Sequence, residues 1–190
     1  MLSNPLAALS YLAIRLKGIY YKEKYKILNK NVTIGKRFKV KKSISIKGPG
    51  IVIIGDDVFI DGSMHAVTPW TYAREAKIII GNRVFLNGTR FGCSEKISIG
   101  DDSIIADCRI MDTDFHSLHP KHRNESQYVQ KAPVMIGKNV WIAMDAVVLK
   151  GVTIGDNSTI AARSVVYNDI PELSVYGGNP AVFIKKVPID

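Results

Sequence analysis

Residues 133–166 read PVMIGKNVWIAMDAVVLKGVTIGDNSTIAARSVV, and this stretch decides the fold. Ile136, Ile142, Val148, Ile154, Ile160 and Val166 fall at strict intervals of six. Four residues after each of the first five stands Val140, Ala146, Val152, Ser158 or Ser164, all small or β-branched. Gly137 and Gly155 each follow an isoleucine, eighteen residues apart. Neither the period of a helix nor plain strand alternation produces a six-residue period; an internal repeat does. β-branched residues at fixed places favour strand, and the regular small and turn-forming residues interrupt it. A short strand and a corner every six residues, three to a turn, predict an eighteen-residue coil of triangular section. The aliphatic positions then point into the prism and are buried only when coils stack.

The repeat extends towards the N-terminus. Ile34-Gly35, Ile54-Gly55, Ile80-Gly81, Ile99-Gly100, Ile136-Gly137 and Ile154-Gly155 mark six coils, at spacings of 20, 26, 19, 37 and 18 residues. Excess over eighteen is loop thrown out from a corner, which a stacked solenoid tolerates. Two extra residues fall near Gly48-Pro49-Gly50, eight around 69–75, and nineteen within 112–133. The last is where function is sought, because a rigid scaffold projects it.

Residues 1–28 differ. Leu2, Leu6, Leu9, Leu12, Leu16 and Ile19 recur at helical spacing, with Asn4-Pro5 as a start signal. Residues 1–42 hold eleven Lys and Arg against Glu23 alone, in a chain of net charge +9. All the net positive charge therefore sits at one end. One reading is a solvated helix capping the open end of the coil stack; the other is contact with anionic lipid or a phosphate-bearing substrate. Nucleic-acid binding is not expected, since no reader motif or aromatic interleaving accompanies the charge.

The 190 residues, 46% hydrophobic, suffice for one domain with a sizeable core. Cys93 and Cys108 lack metal-type spacing and read as small core residues. No apolar run approaches the ~20 residues of a membrane span, and the N-terminus lacks the charged-then-apolar pattern of a secretion signal. A cytoplasmic protein, at most peripheral to the inner face of the membrane, is the expectation.

An Asp112-x-Asp114-x-His116 run, a long loop, and then Pro133-Val134-x-Ile136-Gly137-x-x-Val140-Trp141-Ile142 is similar to the hexapeptide-repeat acetyltransferases. The likeness is greatest to the galactoside, maltose, nodulation-factor, capsule and exopolysaccharide O-acetyltransferases. Gly178-Asn179-Pro180-Ala181-Val182, following Asp169-Ile170-Pro171, matches that family's ending. The resemblance covers roughly residues 31–188 and is most specific from Asp112 to Pro180. It implies an all-β fold: a left-handed parallel β-helix of about six coils with a short N-terminal helical segment. The expected division is a helical segment 1–30, the β-helix 31–170 with its extended loop at about 112–133, and a C-terminal extension 171–190. The handedness comes from the resemblance alone, since parallel crossovers are ordinarily right-handed.

The resemblance further implies transfer of acetyl from acetyl-CoA to a sugar or polysaccharide hydroxyl, in a homotrimer whose subunits share each site. His116 matches the catalytic histidine. Independently, deprotonating an alcohol near neutral pH suits an imidazole general base. Asp112 and Asp114 are candidates to orient His116 or hold the acceptor; His119 and His122 have weaker claims. Asn87 lies near the family's acceptor-binding asparagine, although Asn-Gly also favours a left-handed corner. Trp141, Ala143, Met144, Ala161, Ala162 and Arg163 match the donor lining, and Asn168, Lys185 and Lys186 fall where the coenzyme's phosphates are held. Ala143 and Arg163 replace usual glycines and Met144 a small residue. Backbone amides near Ala143 or Ala162 are expected to stabilise the oxyanion.

Competing readings keep the fold and change the chemistry. One is acetylation of an amino sugar or antibiotic; another is a non-catalytic scaffold. γ-Class carbonic anhydrases use this fold with three histidines on zinc, pairing His65 with His116, but the spacing of 116, 119 and 122 does not match theirs and no metal is expected. A sugar nucleotidyltransferase would need an additional large domain.

Overall fold

The isoleucines of the Ile-Gly pairs form a single column. In the computed structural model, which describes residues 5–28 and 31–189, Ile34 pairs with Ile54, Ile54 with Ile80, Ile80 with Ile99, Ile99 with Ile136 and Ile136 with Ile154 on parallel strands. Ile170 continues the column. The strands containing them make the first face of a triangular prism. The second face runs from Lys39–Val40 to Thr159–Ile160 and ends with an antiparallel pair, Ser174–Gly177 and Val182–Lys186. The third runs from Thr68–Thr71 through Arg90–Cys93, Arg109–Met111 and Val147–Val148 to Val165–Val166. The expected all-β architecture of six coils is thus observed. The inward residues of all three faces, Ile60, Leu86, Ile105, Ile142, Ile110 and Val148 among them, are fully buried.

The corner between first and second faces explains the glycines. A Cβ on Gly100 would lie 2.5 Å from the Gly137 carbonyl oxygen, so coils stack only if this position lacks a side chain. Two residues later the chain turns left-handed, at Arg37, Asp57, Arg83, Asp102, Asn139 and Asn157, with φ between 52 and 63°. Asp and Asn tolerate that conformation better than most. The intervening residue ties coils together: Asp56, Asn82, Asp101 and Asp156 accept the amides of Lys36, Asp56, Asn82 and Lys138 from the preceding coil at 2.7–2.9 Å. Arg37 pairs with Asp57, and Arg83 with Asp102, along the same corner. Both aspartates are held below the ordinary carboxylate range by those guanidinium bonds.

One loop assignment is corrected. Pro69, Trp70 and Thr71 belong to a strand paired with Arg90–Cys93, not to a loop, and the additional residues flank it on both sides. The 112–133 insertion leaves the corner between third and first faces and contains two short 3-10 turns, Pro120–His122 and Ser126–Tyr128.

The N-terminal helix, Pro5–Leu28, lies against the first coil. Tyr25 is buried; its hydroxyl donates to the Ile44 carbonyl at 3.2 Å and accepts from the Ile46 amide at 2.9 Å. Lys22 Nζ reaches the Gly35 carbonyl, and a Cβ at Gly18 would collide with that of Phe38. The helix covers the end of the stack, but not with its leucines: Leu9, Leu12, Leu16 and Ile19 are 54–63% exposed. Leu2, Asn4 and Lys30 lie outside the described residues. No helix among the described residues is long and apolar enough to cross a membrane.

Cys93 and Cys108 are buried and unpaired in disulfides. Burial pushes both thiols up to about 12, and the Asp112 carboxylate adds to the effect at Cys93. Since the thiolate is the reactive form, an aromatic disulfide reagent at pH 8 is expected to modify neither cysteine in the folded protein and both after unfolding in guanidinium; native-state labelling would contradict this core.

Candidate active site

The insertion is closed by a short ladder. Asp112 O accepts the Ala132 amide at 2.9 Å, Thr113 bridges Lys131, and the Asp114 amide donates to Gln130 O at 3.1 Å. Beneath it the Asp112 carboxylate accepts the amides of Ser94 (2.7 Å) and Glu95 (2.8 Å) and the Cys93 thiol (3.3 Å). Asp112 is completely buried. Both its oxygens serve the scaffold, so Asp112 is corrected from a candidate for the acceptor to the anchor of the loop. Asp114 does not bond His116 either; its Oδ1 meets Lys150 Nζ at 2.8 Å, and its Oδ2 is buried without a partner.

Phe115 follows with φ of 61°, a left-handed conformation unusual for an aromatic residue. Its ring meets Tyr72 edge-on at 5.1 Å and rests on Gly92, where a Cβ would lie 2.6 Å from Phe115 Cζ. This wedge sets the direction in which the chain delivers His116. The His116 side chain is exposed and makes no hydrogen bond or ion pair among the described residues. Ser117 is buried again, its amide on Arg123 O and its hydroxyl accepting the His119 amide. The imidazole is therefore free between two fixed neighbours. His119 and His122 belong to a separate cluster: His122 bonds Glu125 at 2.7 Å and stacks between His119 and Tyr128. Gly92→Ala is expected to displace Phe115 and lower transfer about tenfold or more, by misplacing a group that must act within hydrogen-bond reach, while leaving the melting temperature nearly unchanged. Unaltered transfer would show the wedge to be irrelevant.

The other candidates lie elsewhere. Asn87 ends the second-face strand Phe85–Asn87, and its Oδ1 is buried without a partner. Its carbonyl accepts the Asp107 amide, and Asp107 holds His65 Nδ1 at 3.0 Å. Met144 and Ala162 occupy the same corner, between second and third faces, two and three coils further on. The Ala143 amide is corrected as an oxyanion donor, because it already bonds Ile160 O; those of Met144 and Ala162 make no bond among the described residues. Arg163 Nε lies 3.6 Å from Asp145. On the second face Trp141, Thr159, Val175 and Lys185 stand in one outward row, connected by register. Three strand spacings separate its ends by about 14 Å. Lys186 follows on the same strand, whereas Asn168 is exposed beyond the third-face strand Val165–Val166.

His116 and the Trp141–Lys185 row are thus not together in one chain. His116 hangs from the third-to-first corner; Met144 and Ala162 mark the opposite edge of the third face, six residues or about 15–20 Å away. His65 is likewise on a different corner of the chain from His116. No group of three metal-ligating side chains occurs among the described residues.

The sequence pattern does not single out Phe115, Gly92, Tyr72 or Lys150. Only the position of Phe115, inside the Asp-x-Asp-x-His run, is a signal in the sequence; its left-handed backbone and its glycine seat are tertiary.

The family model described as bacterial transferase hexapeptide (six repeats) matches residues 133–168. WcaF of Escherichia coli (strain K12), provisionally named a colanic acid biosynthesis acetyltransferase, is 31% identical over 134 residues, covering 70% of this chain and 68% of WcaF. The galactoside O-acetyltransferase of the same organism is 29% identical over 150 residues, 78% of this chain and 70% of its own. A mutant of AntD, an N-acyltransferase from Bacillus cereus crystallised with dTDP and coenzyme A, superimposes with a TM-score of 0.70 at 24% identity over 88% of this chain and 89% of that one. This last likeness carries the fold, which is the left-handed parallel β-helix.

Proposed function

The chain belongs to the hexapeptide-repeat family of bacterial transferases, and from that premise we propose that it is an acetyl-CoA-dependent O-acetyltransferase acting on a hydroxyl of a sugar or polysaccharide. Relatives named for galactoside and for colanic acid biosynthesis support the acceptor class, and neighbours crystallised with acetyl-CoA or coenzyme A support the donor. The observation that carries the mechanism is the exposed, unbonded imidazole of His116 on a rigidly closed loop.

In this reading His116 removes the proton of the acceptor hydroxyl as its oxygen attacks the thioester carbonyl. The negative charge gathers on that carbonyl oxygen, which the free amides of Ala162 or Met144 receive. Collapse expels coenzyme A as its thiol, with the proton from His116. No covalent enzyme intermediate is required when donor and acceptor are bound together. The donor lies along Trp141, Ala143, Met144, Ala161, Ala162 and Arg163, with its phosphates towards Lys185, Lys186 and Asn168. Asn87 and Asp114 each leave an acceptor atom buried and unpartnered, as expected where a ligand completes the bonding. Release of coenzyme A on mixing the protein with acetyl-CoA and a panel of oligosaccharides tests the function. Release only with amine acceptors would replace the O-acetylation reading, and no release with any acceptor would reject both.

The separation of His116 from the donor row supports a homotrimer, in which a neighbour's corner faces each loop. We further assign an N-terminal segment to 1–30, helical over its described residues Pro5–Leu28, the β-helix with its loop to 31–170 and the extension to 171–190, of which 1–4, 29–30 and 190 lie outside the described residues. The exposed Leu9, Leu12, Leu16 and Ile19, on a helix that also carries Arg15, Lys17, Lys24 and Lys26, favour peripheral contact with an anionic membrane, at the inner face in a cytoplasmic protein. The protein is expected to float with vesicles of phosphatidylethanolamine and phosphatidylglycerol, and the Leu12→Glu, Leu16→Glu variant to stay behind. Equal behaviour of the two, or dissociation of the trimer by the variant, would contradict that contact.

A further inference from the structure

Two arginines stand side by side on the outer surface of the third face without an acid between them. Arg90 and Arg109 are register partners on neighbouring strands, about 4.8 Å apart. Like charges directly opposite one another destabilise a sheet. Several cations elsewhere on the prism are paired with acids, Lys41 with Asp61 at 3.1 Å, Arg83 with Asp102 at 2.6 Å and Lys150 with Asp114 at 2.8 Å, although Lys77 and Lys96 on the first face are also register partners without an ion pair among the described residues. Among the described residues neither Arg90 nor Arg109 has a side-chain hydrogen bond or ion pair, and Arg90 Nε is buried without a hydrogen-bond partner. A buried, unbonded guanidinium N–H is costly unless something outside the chain satisfies it.

The same two side chains line a groove of about 330 Å³ whose other wall is aromatic. Trp70 and Tyr72 stack at 5.2 Å with their planes 24° apart, and each is about 40% exposed. Lys47 Nζ sits 5.0 Å from the Trp70 ring centre, adding a third cation. Phe115 also lines it, next in the chain to His116. No carboxylate lines the groove. An exposed aromatic shelf accepts the C–H face of a pyranose ring, and a planar guanidinium accepts a carboxylate or phosphate with two parallel bonds.

We propose that this groove binds an acidic glycan, stacking a sugar ring on Trp70 and Tyr72 while Arg90 and Arg109 hold a carboxylate or phosphate on the same or the adjoining residue. The proposal rests on the acceptor reading given above and narrows it to anionic saccharides. The anion relieves the repulsion between the two arginines and bonds the orphaned Nε, so acidity contributes to affinity directly rather than by long-range attraction.

Calorimetry on the full-length protein tests it without requiring transfer. The probes are a hexuronate trisaccharide, its carboxyl-reduced neutral counterpart, a phosphorylated trisaccharide of the same neutral sugar, and inorganic phosphate. The hexuronate, the phosphorylated sugar or both are expected to bind at least tenfold more tightly than the neutral sugar and than phosphate alone, and which of them does so identifies the anion. Arg90→Gln with Arg109→Gln is expected to remove that tenfold preference. Coenzyme A affinity serves as the check on folding, and Arg109→Gln alone, on an exposed side chain, decides if the double variant fails it. Equal affinity for acidic and neutral trisaccharides, phosphate binding as tightly as either, or an unchanged preference in the folded variant overturns the proposal. Acetyl transfer to neutral sugars only would sink it while leaving the function standing; tight acidic binding without transfer would do the reverse.

Discussion

His116→Ala is expected to reduce acetyl transfer by roughly 10²–10⁴-fold, the range that a positioned general base contributes, with little change in coenzyme A affinity or melting temperature. The side chain is exposed and bonds nothing among the described residues, so its removal leaves no cavity and no unpaired group there. That separates a chemical role from a structural one. The other imidazole with a claim is His65, held by Asp107 at 3.0 Å, an arrangement that also suits an oriented base. If His65→Ala were inactive and His116→Ala active, the proton would pass through the other corner and the assignment would be wrong.

Asp112→Ala should be the most damaging loop substitution for stability. It strips the Ser94 and Glu95 amides of their acceptor in a fully buried site, and each unsatisfied donor costs about 1–3 kcal/mol. A loss of about 3 kcal/mol lowers the melting temperature by about 6–12 °C for a chain of this size. Transfer should fall too, because the carboxylate anchors the ladder from which Phe115 and His116 depart. Asp114→Ala touches a partly exposed pair with Lys150 and should cost about 1 kcal/mol or less. Thermal unfolding of the two variants side by side measures the difference; equal melting temperatures would mean that the neck is not what holds the loop.

The prism was legible because core-facing side chains must repeat with the coil. Each Ile-Gly pair in the sequence marks one rung of the isoleucine column, and the corner glycines and left-handed Asp or Asn residues follow from how closely coils approach. Pro69 misled, since proline in a central strand would forfeit a ladder bond. The strand Thr68–Thr71 is the last in the regular ladder of its face, joined beyond it only by isolated bridges from Ile44 and Lys47, and there proline is tolerated. At the site, an Asp-x-Asp-x-His run contains two acids of equal appearance. What distinguishes them is the turn at Ser94-Glu95, some eighteen residues upstream, whose amides capture Asp112 alone. The leucine stripe of the N-terminal helix was equally clear as a period and equally silent about its partner, because periodicity reveals a face without revealing what covers it. The unpaired Arg90 and Arg109 lie nineteen residues apart, and only the register of the coils brings them together.

His116 and the Trp141–Lys185 row are separated by a whole face of the prism, so the proposed transfer needs two subunits. A crystal structure of the proposed trimer with coenzyme A bound is the decisive measurement. The coenzyme's thiol is expected at the corner of Met144 and Ala162, within hydrogen-bond reach of a sugar hydroxyl placed on the partner subunit's His116, with the phosphates at Lys185 and Lys186. A thiol remote from every His116 in the assembly would contradict it.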